Sequence, residues 1–215
     1  MKKTAIVIGA TGLVGSHVIH LLLNDERYSV VKVFHRRSTG IDHKKLDEHI
    51  IDFDTFEMWG DQLSGDELYS AMGTTIKKAG SKDKQYKIDV TYPLKAAQTA
   101  ARNGVKKLSL VSSAGADKDS KLFYPRIKGK LDDAVKELSF NRITIMRPSI
   151  LDGDRSENRP GERFGLTVMK LLGNIPGLKK YRPIPAKQVA KAMINSLQND
   201  LHGYYIFEPN EVFHL

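Results

Sequence analysis

The chain has 215 residues, 40% of them hydrophobic and 27% charged, with 34 Lys and Arg against 25 Asp and Glu for a formal net charge of +9, and no cysteine. Those totals suit one globular domain and exclude disulfides, thiolate metal ligands and a cysteine nucleophile. No run approaches membrane-spanning length, and the apolar run after Met1-Lys2-Lys3 is too short for a signal h-region, so a reducing, cytoplasmic compartment is expected.

In chain order, Thr4–Ile8 reads as a first strand and Leu13–Leu23 as a first helix, joined by Gly9-Ala10-Thr11-Gly12-Leu13-Val14-Gly15. A strand, a GxxGxxG turn and a helix in that order suit a dinucleotide. Gly9 permits the tight turn, Gly12 lets backbone approach a pyrophosphate, Gly15 lets helix pack on strand, and the helix N-terminus faces the phosphates. An ordinary strand-to-helix turn is the plainer alternative, and it leaves Gly12 and Gly15 unexplained. Val30–Phe34 is a second strand ending at His35-Arg36-Arg37-Ser38. NAD-preferring proteins place an acid at this corner for the ribose 2′-hydroxyl; here Arg36 and Arg37 stand instead, with no Asp or Glu before Asp42. Arginine suits a 2′-phosphate, so NADP(H) is expected over NAD(H).

Residues Ile41–Glu48 read as loop or a helical turn and His49–Asp54 as a third strand, with Asp52 and Phe53 placed to meet an adenine edge. Asp61–Leu68 reads as part of a helix. Ala71-Met72-Gly73-Thr74-Thr75, small residues closing the fourth strand region, would let the cofactor approach. Lys77–Tyr86 reads as a basic loop, Asp89–Asn103 as a helix stopped by Gly104, and Val105–Val111 as strand five leading to Ser112-Ser113. Tyr124–Leu138 has helical periodicity through Ile127, Leu131, Ala134, Val135 and Leu138. Ile143–Met146 is strand six. Asp152–Gly161 reads as loop, Arg163–Leu172 as helix, Gly173–Pro185 as loop, Lys187–Leu197 as amphipathic helix, and Tyr204–Phe207 as a last strand. The alternation predicts an α/β doubly wound parallel sheet, residues 1–215 forming one domain in which the region after Arg147 makes a small C-terminal cap, with 152–185 shaping a substrate pocket. Phe164, Leu166 and Met169 beside Arg155, Arg159 and Arg163 fit an apolar pocket near an anionic group, and ordinary packing fits them equally well.

Tyr124 and Lys128 form a YxxxK pair, one turn apart on a helix face. A nearby ammonium favours the phenolate of a group whose ordinary pKa is about 10. Ser113, at the end of strand five, can hold a carbonyl or alcohol oxygen, and Ser112 is its alternative; Tyr124 would exchange the proton and Lys128 also bind a ribose. Tyrosine and lysine on a half-exposed helix need no chemistry; the company of the glycine turn and the serine pair is what argues otherwise. Pro125 disfavours helical geometry at Tyr124, so a helix starting at Pro125 is expected. The histidines, His17 and His20 included, show no metal spacing, and neither a GxxxxGK[ST] loop nor a G-x-S-x-G elbow occurs. The lysines are scattered, without a basic helix or aromatic interleaving, so a small-molecule substrate is expected rather than nucleic acid or membrane, with monomer and dimer both open.

The chain resembles the atypical short-chain dehydrogenases/reductases, within their Tat-interacting (metastasis-suppressor) branch and its bacterial relatives. The resemblance is carried by Gly9–Gly15, His35-Arg36-Arg37, Gly73-Thr74-Thr75 with Lys78-Ala79-Gly80, Val111–Lys118, Tyr124 with Lys128-Gly129, Arg147-Pro148, and Asp154-Arg155 through Arg159-Pro160-Gly161-Glu162. It implies a Rossmann fold binding NADP(H), Ser113, Tyr124 and Lys128 in the catalytic places, and a cofactor site running from the glycine turn through Met72, Gly73, Thr74, Thr75 and Ser112 to Pro148 and Ile150. The family's asparagine-rich motif after strand four is replaced by Gly73-Thr74-Thr75. Two functions follow: an NADPH-dependent reductase or dehydrogenase, or a non-catalytic NADP(H)-sensing regulator.

Overall fold

A computed structural model describes residues 2–152, 182–198 and 201–215. Seven parallel strands run through the molecule: β1 (Lys3–Ile8), β2 (Tyr28–His35), β3 (Leu46–Ile50), β4 (Glu67–Ser70), β5 (Lys107–Val111), β6 (Arg142–Met146) and, later in the chain, Gly203–Phe207. They lie in the order β3-β2-β1-β4-β5-β6 followed by Gly203–Phe207. Reversal of the winding direction between β1 and β4 opens a crevice at the carboxyl ends of those strands, the ligand position in doubly wound sheets. Helices α1 (Leu13–Leu23), α2 (Phe56–Trp59), α3 (Ile76–Ala79), α4 (Lys82–Tyr86), α5 (Tyr92–Arg102) and α6 (Phe123–Lys136) connect them.

Both faces of the sheet are buried, as a parallel sheet requires. Ala5 and Val7 of β1 point into one cluster with Val18 and Leu22 of α1, while Ile6 and Ile8 point into the other with Trp59, Ala96, Ala100, Ile127 and Leu131. The first cluster is completed by the C-terminal part of the chain. Residues Leu151–Asp152 (β7) pair with Ile184–Pro185 (β8), and α7 (Ala186–Asn195) lays Val189 and Met193 against α1. Gly203–Phe207 (β9) then pairs in parallel with β6, and α8 (Pro209–Val212) closes the chain. Among the described residues after Arg147, Gly203–Phe207 thus joins the sheet and α7 the core, and Ile184–Pro185 is strand rather than loop. Residues 153–181, which hold the expected pocket-shaping residues Arg155, Arg159, Arg163, Phe164, Leu166 and Met169, lie outside the described residues.

Three more expectations are corrected. The third strand is Leu46–Ile50, earlier than His49–Asp54. As an edge strand paired only with β2, it tolerates Asp47 and Glu48, and Phe53 instead turns in to pack on Phe56, Trp59 and Tyr92. Asp61–Leu68 is not helical throughout: a single 3₁₀ turn at Gly60–Gln62 precedes β4, all four residues of which are buried. Glu67 is tolerated there because its carboxylate accepts from Tyr28 Oη (2.6 Å), Tyr69 Oη (2.7 Å) and Lys3 Nζ (2.7 Å). Lys77–Tyr86 is two short helices rather than loop, capped by Thr75 Oγ1 accepting from the Lys78 N–H and Ser81 Oγ from the Lys84 N–H.

If α7 belongs to the same core as α1, Met193→Ala costs the whole domain about 2–5 kcal/mol in one cooperative urea transition. A separable C-terminal unit would instead give a second transition and leave the main one in place.

Candidate functional site

The turn between β1 and α1 is built around missing side chains. Gly9 has φ +79°, and a Cβ there would lie 2.5 Å from the Ala71 carbonyl carbon. A Cβ at Gly15 would lie 2.1 Å from the Gly9 carbonyl oxygen, and one at Gly12, the extended N-cap of α1, would lie 3.1 Å from the same atom. The helix end therefore sits against the strand ends with no side-chain cap and no acidic residue in its first turn. Backbone N–H groups and the positive end of the helix dipole meet there, which fits a pyrophosphate.

In front of this turn lies a cleft of about 780 Å³. Its walls include Thr11, Gly12, Leu13 and Val14 from the turn, Met72, Gly73, Thr74 and Thr75 after β4, Ser112 after β5, and Tyr124 and Lys128 of α6. α6 begins at Phe123 rather than Pro125: a proline in the first turn gives up no hydrogen bond. Tyr124 and Lys128 thus lie one helical turn apart, the Lys128 ammonium 5.9 Å from the centre of the Tyr124 ring. Tyr124 is 41% exposed at the mouth, and Lys128 is 2% exposed at the floor.

A charged side chain so buried needs partners. The Lys128 ammonium lies 3.6 Å from the carboxylate of Asp89, which is itself fully buried. One turn further along α6, Asp132 is also buried; it accepts a 3.0 Å hydrogen bond from Arg147 Nε and lies 3.0 Å from a terminal nitrogen of the same guanidinium, which also reaches Glu208 at 3.2 Å. Burial pushes the Lys128 ammonium down, but Tyr124, Asp89 and Asp132 outweigh it and hold the pKa above the ordinary lysine value. Burial lifts the Asp132 carboxyl above its usual range, against the opposing pull of the Ser112 hydroxyl and Arg147.

The tip of β2 holds a carboxylate that linear reading misses. Register places Glu48 of β3 beside Val33 of β2. Its carboxylate accepts from Ser38 Oγ (2.7 Å), the Thr39 N–H (2.9 Å) and Thr39 Oγ1, and lies 3.2 Å from buried His35 Nε2. Partial burial works against the charge, but these hydrogen bonds lower the carboxyl from 4.5 to about 2. Three hydrogen bonds from the loop occupy most of its acceptor positions, and Arg36 and Arg37 stand exposed in the same loop.

The other expected residues are placed as follows. Gly9 and Ala10 lie beneath the turn rather than on the cleft wall. Exposed Asp52 accepts from the Asp54 N–H at 2.9 Å, and its carbonyl takes the Trp59 indole N–H at 2.8 Å; Phe53 is core. Ser112 is buried and lines the cleft, whereas Ser113 is half-buried, is not among the lining residues, and has a 3.4 Å contact from its hydroxyl to the Ala114 carbonyl. Pro148 is buried and accepts from the Ala114 N–H at 2.9 Å; Ile150 is exposed nearby. Ser16, Ile76, Lys77, Lys78, Gln85 and Leu151 also line the cleft. Of the carboxylates missed, Asp132 could have been found from its four-residue step after Lys128; nothing local marks Asp89 or Glu48. Among the described residues no His, Asp and Glu cluster suits a metal, and no helix is long and apolar enough to cross a membrane.

The family model described as NAD(P)H-binding matches residues 9–200. "Protein fmp52, mitochondrial" of Aspergillus niger is 36% identical over 207 residues, 92% of this chain and 88% of that protein. Protein HTATIP2 of Rattus norvegicus is 31% identical over 220 residues, 100% of this chain and 89% of that one. A short-chain dehydrogenase/reductase superfamily protein of Agrobacterium tumefaciens, solved with bound NAD, superimposes with a TM-score of 0.73 at 14% identity, covering 99% of this chain and 80% of its own. The fungal relatives named mitochondrial overturn the cytoplasmic expectation. Lack of cysteine speaks to redox chemistry, not to cellular address.

Because the Glu48 carboxyl is held down in the folded state, its contribution to stability is present above about pH 4.5 and lost as pH falls towards about 2. The melting-temperature gap between wild type and Glu48→Gln is expected to be full near neutrality and to close across that range. A gap independent of pH would contradict this role.

Proposed function

The chain belongs to the NAD(P)H-binding family, in the HTATIP2 branch of the atypical short-chain dehydrogenases/reductases, and from that premise we propose that it is an NADP(H)-dependent oxidoreductase of small carbonyl or alcohol compounds. The observation that carries this reading is the meeting of the glycine turn, Tyr124 and buried Lys128 in one cleft. When bound, the dinucleotide supplies or accepts the hydride. The turn and α1 hold its phosphates, and Lys128 at the floor offers three donors to ribose hydroxyls.

Tyr124, at the mouth, is placed to pass a proton to or from the substrate oxygen. Of the two serines, Ser112 lines the cleft but its hydroxyl lies by Asp132, which leaves the half-buried Ser113, next in the chain, to hold the substrate oxygen. NADP(H) is favoured because the one acid at the β2 tip, Glu48, is occupied by its own loop, leaving Arg36 and Arg37 to meet a 2′-phosphate. A second reading, an NADP(H) sensor without turnover, is favoured by the pairing of the Lys128 charge with Asp89 and Asp132, which weakens its pull on Tyr124.

NADPH consumption across a panel of small aldehydes and ketones separates the two. The enzyme reading expects turnover that falls about 10²- to 10⁴-fold in Tyr124→Phe, with NADPH still bound. Binding without consumption of any panel member supports the sensor.

Replacing Arg36 and Arg37 together by alanine is expected to weaken NADPH by about tenfold or more, the worth of one charge-assisted hydrogen bond, and to leave NADH within about twofold. Equal losses for both cofactors would remove the arginines from the specificity argument.

A further inference from the structure

α6 carries Tyr124, Lys128 and Asp132 at four-residue steps, but the carboxylate set against the cleft side of the lysine comes from elsewhere in the chain. Asp89 lies in the π-helical turn Lys87–Thr91 between α4 and α5. Such widened turns put one residue out of α register and recur at functional sites. Here the turn leaves Asp89 fully buried, an unusual place for a carboxylate unless it serves a partner.

Its two oxygens face two parts of the cleft. Oδ1 accepts the Thr74 backbone N–H at 2.7 Å, and Thr74 is cleft wall. Oδ2 lies 3.6 Å from Lys128 Nζ and has no hydrogen-bond partner among the described residues. Gly73 keeps the passage above them open: a Cβ there would stand 3.7 Å from Lys128 Nζ and 3.8 Å from Asp89 Oδ2. The Gln85 amide donates to the Thr74 carbonyl at 3.1 Å and fixes the wall from its other side.

We propose that Asp89 is a positioning residue: its carboxylate draws the Lys128 ammonium towards the Thr74 wall and fixes its height below Tyr124. This rests on the reading of Tyr124 and Lys128 as the working pair.

The groups facing Lys128 are Asp89 from the π turn and Tyr124 and Asp132 from its own helix. Asp132 shares its charge with Arg147. Asp89 has Lys128 as its one ion-pair partner among the described residues. Removing the Asp89 charge therefore leaves the lysine with a carboxylate already half committed, and the ammonium should lose its proton at lower pH.

The test uses the full chain without cofactor, its lysines labelled at Cε and Nζ, and follows the Lys128 signal by NMR from pH 7 to 12, beside NADPH binding at pH 6.5 and 9.5. In Asp89→Asn the Lys128 midpoint should fall by about one unit, so that NADPH binding weakens by up to about twofold at pH 9.5, where part of the lysine has lost its proton, and stays unchanged at pH 6.5. An unchanged Lys128 midpoint in the folded variant overturns the proposal, as does weakening that is equal at both pH values, the mark of a structural role alone. If the variant does not fold, the wild type, labelled also at aspartate Cγ, decides: Asp89 Cγ should shift at the same midpoint as Lys128, and a Cγ signal blind to that titration overturns the proposal. A wild type that binds no NADPH defeats the cofactor reading and leaves the Lys128 titration to judge Asp89 by itself.

Discussion

The distance at which α1 approaches β1 governs this molecule. With the Gly9 oxygen 2.1 Å from where a side chain at residue 15 would start, the helix occupies space that no other amino acid leaves open. That approach aims the uncapped helix end at the crevice between β1 and β4 and sets the depth of the cleft. The Thr74 wall follows from it too, because Gly9 also packs on the backbone of Ala71 as the chain leaves β4. The opposite wall is α6, fixed by Ile127 and Leu131 in the core beneath the sheet.

Below the cleft the charges alternate from Asp89 through Lys128, Asp132 and Arg147 to Glu208. Isolated, any one of the buried members would be expensive to desolvate. In sequence they neutralise one another and join four elements: the π turn, α6, the end of β6 and the N-cap of α8. The lysine at their centre is thereby anchored as a charged donor at the cleft floor. The same arrangement tempers its influence on Tyr124, because part of its field is answered by the carboxylates.

What the sequence made legible followed from periodicity and punctuation. β1, α1, β2, α5, β5, α6, β6, α7 and β9 all carry apolar spacing that matches their burial, and the glycine string marked the close turn between β1 and α1. Two strands were hidden by charged residues whose reasons lie far away in the chain. Glu67 reads as polar helix until Tyr28, Tyr69 and Lys3 surround it, and Glu48 reads as loop until β2 lies beside it. The short helices α3 and α4 depend on Thr75 and Ser81 caps rather than on an apolar stripe. At the site, Tyr124 and Lys128 stood out because they share a helix face. Asp89 did not, because its relation to Lys128 is made by folding two distant segments together.

The most direct test of the cleft as a dinucleotide site is calorimetric titration of the folded protein with NADP⁺ and, separately, NAD⁺. The account predicts one site per chain for NADP⁺ and tighter association than for NAD⁺. Heats of dilution alone for both nucleotides at millimolar concentration would contradict it.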